Sequence, residues 1–142
     1  MKKSVPYIIA LGIYLGIILS TIDTAIVDGD SMHPILQSGQ EVWGVKTEVF
    51  KRNDIVLTDV TLAEGDTITM VKRVYGVEGD KVEIKDNTVY INGEKTKVLT
   101  KNTREGSFTL GQNEYFLLGD NPGTVWIRTN GESIKSRMEG IM

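Results

Sequence analysis

The chain has 142 residues, which is enough for one domain, or for one domain with an anchor. Its 16 basic and 19 acidic side chains give a net charge of −3, which disfavours nucleic-acid binding as its main role. It has no cysteine and a single histidine, His33, so disulfide scaffolds, thiolate metal sites and multi-histidine metal sites are excluded.

The N-terminal segment differs in composition from the rest of the chain. Lys2 and Lys3 precede a run without charge over residues 5–22, close to the shortest length that spans a bilayer. A cleaved signal peptide would need a small-residue cleavage site, which is weak here, and a buried helix in a small domain is rarely apolar on every face. We therefore predict a retained membrane anchor over residues 1–22. Its two lysines predict a cytoplasmic N-terminus, with the domain of residues 23–142 outside the cytoplasm.

The domain that follows is predicted to be mainly β. Charged residues and turn signals separate six β-branched or alternating runs, at residues 41–45, 54–60, 67–75, 81–85, 88–91 and 114–118. Asp86-Asn87 and Asn92-Gly93 are typical of two-residue hairpin turns. Six or so short strands with tight turns predict an antiparallel β-sandwich or a partly open barrel, with no long amphipathic helix after the anchor.

Two residues are candidates for nucleophilic chemistry. Ser31 lies in a turn between Gly29-Asp30 and Met32-His33-Pro34, which can present its hydroxyl and leave its own N–H free to stabilise an oxyanion. Lys72, in the run of residues 67–75, can act as a general base only if burial lowers its pKa. The commoner explanations are a plain surface turn and a solvated lysine. His33 is two residues from Ser31, but no group that would orient its ring is identifiable, so we interpret it as a surface residue.

These segments follow the order of the conserved boxes of the type I signal peptidases, which are membrane-anchored serine–lysine proteases, and the chain resembles that family. GDSMHPIL at 29–36 is similar to the nucleophile box, and KRNDIV at 51–56 is similar to a short box with a basic residue and Asp-Ile-Val. MVKRVYGVEGD at 70–80 resembles the general-base box, and YFLLGDN at 115–121 resembles the start of the last box. The short separation of the last two boxes is typical of compact Gram-positive members.

The resemblance implies a role for each matching residue. Ser31 would be the nucleophile and Lys72 the general base, without metal or cofactor. Gly29 and Ser31 would lie at the oxyanion hole, where Gly29 offers only backbone, and Met32 and Pro34 would shape the nucleophile turn.

Further roles concern the substrate and the surrounding frame. The resemblance implies that the substrate, a signal peptide of an exported preprotein with small side chains before the cut, binds as a strand along Thr69, Met70 and Val71. Ser133 would orient Lys72. Arg73, Asp120 and Arg137 would be structural. The lipid membrane is the second expected partner.

The final box departs from the family pattern. Lys135 stands where an aspartate is expected, and the loop over residues 121–132 is longer, so we predict that Arg137 lacks its usual countercharge. The pattern is similar to divergent members associated with pilus assembly, which makes pilins candidate substrates and predicts a narrow-range or partner-dependent enzyme. The alternative is a noncatalytic, signal-peptidase-like accessory protein in pilus assembly. A self-cleaving repressor would need a DNA-binding domain, and a secreted β-domain that only binds a partner would not need the ordered boxes.

Overall fold

The computed structural model describes residues 5–100, 103–123 and 126–142 and begins with one helix, α1, at Val5–Ser20. Every residue of α1 is exposed, and its apolar side chains surround the whole helix. No helix among the described residues is both long enough and apolar enough to cross a membrane. The helix is shorter than the predicted run of residues 5–22, because Ile22 already belongs to the first strand. Lys2 and Lys3 lie outside the described residues.

The described residues after α1 form eleven strands and one short 3-10 turn at Gly131–Ser133. In chain order the strands are β1 Ile22–Ile26, β2 Glu41–Val45, β3 Ile55–Thr61, β4 Thr67–Gly76, β5 Lys81–Lys85, β6 Thr88–Ile91, β7 Glu94–Val98, β8 Gly106–Thr109, β9 Glu114–Leu118, β10 Ile127–Asn130 and β11 Ile134–Ile141.

The strands form two antiparallel sheets, which confirms the predicted mainly β class. The larger sheet has the order β1-β2-β11-β3-β4-β9-β10, and the smaller has the order β7-β6-β5-β8. The estimate of six or so strands is wrong. The strands that it missed are β1, β7, β8, β10 and β11. Several of them carry few alternating apolar residues, as in the sequence EKTKV of β7, so only pairing with a neighbour identifies them as strands.

The two predicted hairpin turns are confirmed by their backbone angles. Asp86 and Asn87 have φ of 48° and 55° between β5 and β6, and Asn92 and Gly93 have φ of 54° and 82° between β6 and β7. Positive φ at both central positions is the geometry that joins two strands most tightly, and asparagine, aspartate and glycine adopt it at low cost.

One edge in the larger sheet is left open where the site forms. Strand β4 pairs with β3 over residues 67–73, but with β9 only over residues 73–76. Among the described residues, no strand therefore pairs with residues 67–72 on the side away from β3. A buried cluster of Val27, Met32 and Leu36 anchors the segment after β1 against the same sheet.

Candidate active site

The turn that carries Ser31 is held in place by buried apolar side chains, with Val27 before the serine and two others after it. Met32 and Leu36 are fully buried, and Val42 and Ile55 belong to the same cluster. Ser31 itself is only half-buried, because the turn directs Met32 inward. Gly29, two residues earlier, has φ of +81°, a conformation that glycine adopts without strain. Pro34 is exposed and follows a cis peptide bond.

Backbone donors in this turn differ in their availability. The N–H of Gly29 donates to Ser38 Oγ at 3.2 Å. No hydrogen bond among the described residues uses the N–H of Ser31. Of these two backbone donors, only that of Ser31 is available to an incoming oxyanion without breaking a bond.

Lys72 lies on the inward face of β4, surrounded by apolar side chains. Val56 is its direct partner on β3, and Val74 is the next residue on the same face; both are fully buried. Only 5% of Lys72 is exposed, and this burial lowers the pKa of its ammonium group. Within the described part of the chain its ammonium has no hydrogen bond or ion pair that would favour the charged form.

Ser31 and Lys72 line the same cavity, of about 400 Å³. Residues 25–30 form one wall, and residues 68–71 at the open edge of β4 form the other. The cavity therefore also contains Gly29 and the predicted substrate strand of Thr69, Met70 and Val71. The two side chains do not hydrogen-bond to each other among the described contacts, so the structure brings them to one site without joining them.

The turn after β9 connects the nucleophile turn to the base strand. Arg73, next to Lys72, donates two hydrogen bonds of 2.7 Å to the carboxylate of Asp120, which raises the pKa of Arg73. Asn121 donates its backbone N–H to Ser31 O at 3.0 Å and its side-chain amide to Asp30 O at 3.0 Å. The sequence reasoning assigned no role to Asn121, although its place in YFLLGDN was a usable signal.

Lys97 is a second contributor that the sequence reasoning missed. Its ammonium donates to Gly119 O at 2.8 Å, to Asp120 O at 2.7 Å and to Tyr75 Oη at 3.2 Å. It comes from β7 of the smaller sheet, whose EKTKV sequence resembles a solvated edge strand. Nothing in that local pattern distinguishes Lys97 from its neighbour Lys95.

The final box has a countercharge that the sequence reasoning did not foresee. Arg137 lacks the usual aspartate partner, as predicted, and pairs instead with Glu139 of the same strand, at 2.7 Å. The pairing of β11 with β2 shifts register between Met138 and Gly140, so Glu139 lies at a bulge-like irregularity, from which its carboxylate contacts Arg137. Lys135 instead lies 3.9 Å from Asp59. Of the long loop, residues 124 and 125 lie outside the described residues.

Ser133 is attached to the face of the sheet that carries Lys72. Its carbonyl accepts a hydrogen bond of 3.1 Å from Thr58, which pairs with Met70 on the neighbouring strand. A bond from Ser133 to Lys72 is not among the described contacts, so its orienting role stays a prediction. His33 is exposed and lines neither cavity that contains Ser31.

Comparisons with known proteins agree with the predicted family. A family model described as "Signal peptidase, peptidase S26" matches residues 2–124. The chain is 33% identical to signal peptidase I of Bacillus licheniformis, over 81% of this chain and 71% of that protein. It is 35% identical to signal peptidase I T of Bacillus subtilis, over 68% of this chain and 58% of that protein. A crystal structure of a signal peptidase I from Enterococcus faecalis aligns with a TM-score of 0.46 at 22% identity, over 64% of this chain and 97% of that one.

Proposed function

The chain belongs to the signal peptidase family, peptidase S26, and from this premise we propose that it is a type I signal peptidase with Ser31 as nucleophile and Lys72 as general base. The observation that carries the proposal is that both side chains line one cavity, with Lys72 buried enough to lower its pKa. A noncatalytic accessory role is not favoured, because both residues that the chemistry needs are present in that cavity.

The reaction follows from these two groups. Neutral Lys72 accepts the proton of Ser31 Oγ as the oxygen attacks the carbonyl carbon at the cut. The N–H of Ser31 stabilises the oxyanion, and Lys72 passes its proton to the leaving amine as the peptide bond breaks. Lys72 then takes a proton from water, which attacks the acyl-serine ester. Collapse releases the carboxylic acid and returns the proton to Ser31, without metal or cofactor.

The open edge of β4 is the proposed place for the substrate backbone. No strand of the described part of the chain pairs with residues 67–72 on one side, and the cavity beside them is closed opposite by residues 25–31. An extended signal peptide can add to such an edge as a further strand. Thr69, Met70 and Val71 would then bind the residues before the cut and direct the scissile carbonyl towards Ser31.

The proposed anchor accounts for a helix that buries none of its residues against the rest of the described chain. All sixteen residues of α1 are exposed, and none of them is charged. The hydroxyl groups in the helix are those of Tyr7, Tyr14 and Ser20. A helix that is apolar on every face is stable in lipid and not in water. We infer that α1 anchors the chain in the cell membrane as a single pass, with a cytoplasmic N-terminus and the β domain outside. Protease treatment of intact protoplasts should degrade the β domain, and complete protection would contradict this topology.

The dyad is tested by peptide cleavage in detergent with single substitutions. Ser31→Ala and Lys72→Met should each lower kcat by at least about 10³-fold, because neither reaction step proceeds without them. Lys72→Arg should fail as well, since a guanidinium does not lose its proton near neutral pH. The matched controls are Lys85→Met, an exposed lysine of β5, and His33→Ala; both should cleave at the rate of the unsubstituted chain.

Two outcomes would contradict the assignment. Cleavage that survives in Lys72→Met would remove the lysine from the mechanism. Loss of cleavage in His33→Ala, with an unchanged circular dichroism spectrum, would instead favour a serine–histidine pair.

The substrates that we propose are signal peptides of exported preproteins, and pilin precursors are the narrower class to compare. The presence of Glu139 beside Arg137 weakens the argument for a loosened, partner-dependent arm. We therefore expect a generic peptide with alanine before the cut to be hydrolysed without a partner. Turnover of only a pilin precursor, under the same conditions, would support the narrow range.

A further inference from the structure

A second cavity, of about 600 Å³, also borders the two proposed active residues. Ser31, Met70 and Lys72 line it as well, so they form the boundary between the two cavities. We call the cavity between residues 25–31 and 68–72 the acyl-side cavity, and the second one the leaving-side cavity. Its remaining described walls come from the end of β3 and from the long loop and β10.

The leaving-side cavity is lined mainly by apolar side chains. Besides Met70, they are Val60, Leu62, Trp126 and Ile127. Val60 and Met70 lie on the same face of the sheet as Lys72, because their strands are paired in register. Leu62 is 38% exposed, which leaves a large apolar side chain in contact with solvent beside the site. Such a surface, next to reacting groups, is typical of a binding pocket.

The only cationic side chain besides Lys72 among the described lining residues is already paired. Arg128 donates to Glu114 at 2.8 Å, and its guanidinium lies 4.8 Å from the centre of the Phe108 ring. Its charge is therefore compensated before any ligand arrives. Apart from Lys72, the described lining offers a ligand shape and apolar surface and no unpaired cation.

We propose that the leaving-side cavity binds apolar side chains of the one or two substrate residues that follow the cut, and so selects the start of the released protein. This inference rests on the proposed signal-peptidase function. A chain whose scissile carbonyl lies at Ser31 has its preceding residues along the β4 edge, in the acyl-side cavity. The residues after the cut must leave past Ser31 and Lys72, and with the acyl-side cavity taken by the preceding residues, the leaving-side cavity is the other described space that borders both.

The long loop of residues 121–132 would take part in substrate binding in this arrangement. Gly123, Trp126 and Ile127 lie in the segment where the chain departs from the family pattern, and they supply part of the cavity wall. The loop would then contribute substrate selection at the leaving side, which is independent of the small-residue requirement before the cut.

The test uses peptides that differ only in the residue after the cut, leucine against aspartate. The unsubstituted chain should cleave the leucine peptide with a kcat/KM at least about tenfold higher, since an apolar pocket discriminates by this amount. Leu62→Asp should abolish or reverse the preference. Val49→Asp, at an exposed valine that lines neither cavity beside Ser31, is the matched control and should retain it.

A second substrate separates a specificity role from a structural one. A peptide that ends at the cut in a small chromogenic amide has no residues for the leaving-side cavity. Leu62→Asp should hydrolyse it at the rate of the unsubstituted chain. If Leu62→Asp is poorly folded by thermal unfolding, Leu62→Asn replaces it, with the same expected loss of preference.

The possible outcomes separate a failure of this inference from a failure of the proposed signal-peptidase function. Cleavage that is indifferent to the residue after the cut, or an equal loss on both substrate types in a folded Leu62 variant, overturns the inference and leaves the peptidase assignment intact. Absence of cleavage of every peptide by the unsubstituted chain overturns the proposed function, and the inference with it.

Discussion

At the scale of single residues, the properties of Lys72 depend on its surroundings and not on its sequence neighbours. Lys72 lies beside the buried Val56 and Val74 on one face of the sheet, and burial lowers the pKa of its ammonium group. A buried ammonium without a compensating partner costs folding free energy in its charged form. The same burial that makes Lys72 useful as a base therefore makes it a source of instability.

We predict that Lys72→Met is more stable than the unsubstituted chain at neutral pH. Its free energy of unfolding should be higher by about 1 kcal/mol. The lysine pKa is lowered in the folded state, so the unfolded chain binds more protons between the folded value and about 10.4. The stability of the unsubstituted chain should thus rise with pH through this window. The difference between the two proteins should shrink as the pH approaches 10.

The measurement is urea unfolding of both proteins from pH 6 to pH 10. Lys85→Met serves as the control. Because Lys85 is exposed, the difference in free energy of unfolding between this variant and the unsubstituted chain should not change with pH. A Lys72→Met protein that is less stable at neutral pH would mean that the ammonium has a favourable partner.

At the scale of elements, the loop after β9 joins parts of the chain that are far apart in sequence. Its Asp120 binds Arg73 on β4, its Asn121 binds the backbone of Asp30 and Ser31, and Lys97 of β7 binds its carbonyls. Hydrogen bonds that involve a charged group are about twice as strong as neutral ones. The loop is therefore a firm connection between base strand and nucleophile turn.

We predict that Lys97→Met loosens this connection. The loss of charged hydrogen bonds to Gly119 and Asp120 should cost about 2 kcal/mol of stability. It should also lower kcat by about tenfold, with little change in KM, because small displacements of reacting groups affect the chemical step most. Lys95→Met, at an exposed lysine of the same strand, is the control.

The measurements are steady-state kinetics and thermal unfolding of the unsubstituted chain, Lys97→Met and Lys95→Met. Partial recovery of the Lys97→Met rate on adding a primary alkylamine would support a positioning ammonium. An unchanged kcat despite reduced stability would limit Lys97 to a structural role.

At the scale of the whole molecule, α1 is joined to the β domain at its C-terminal end. Lys46 donates its backbone N–H to Thr21 O at 2.9 Å and its ammonium to Ser20 O at 3.1 Å, and it lies 3.7 Å from Asp23. A cation at a helix C-terminus also interacts favourably with the helix dipole. Lys46 of the β domain therefore holds the C-terminal end of α1, whereas no residue of the helix is buried against the domain.

We predict that removal of residues 1–20 leaves the β domain folded and able to cleave a short soluble peptide. No residue of α1 is buried, so its removal exposes no core. The shortened protein should no longer float with phospholipid vesicles in a density gradient, whereas the full chain should. Vesicle binding by the shortened protein would show that the β domain has its own membrane-binding surface.

The sequence by itself determined the features that depend on neighbouring residues. The β-branched runs became β2 to β6 and β9, and the Asn-Gly and Asp-Asn pairs became hairpin turns, because local sterics decide such positive-φ positions. The order of the boxes was sufficient for the family, since residue identities along the chain carry it without reference to contacts.

Only the tertiary structure decided the properties that arise from contacts between distant segments. Burial of Lys72 depends on β3, the bonds of Lys97 depend on the loop after β9, and the leaving-side cavity depends on β3, β4 and β10 together. The pairing of Arg137 with Glu139 forms beside a register shift between β11 and β2, which only the assembled sheet shows. Solvent exclusion and hydrogen-bond geometry belong to the assembled set of neighbours, so a lysine in EKTKV could not be recognised as part of the site from its own strand.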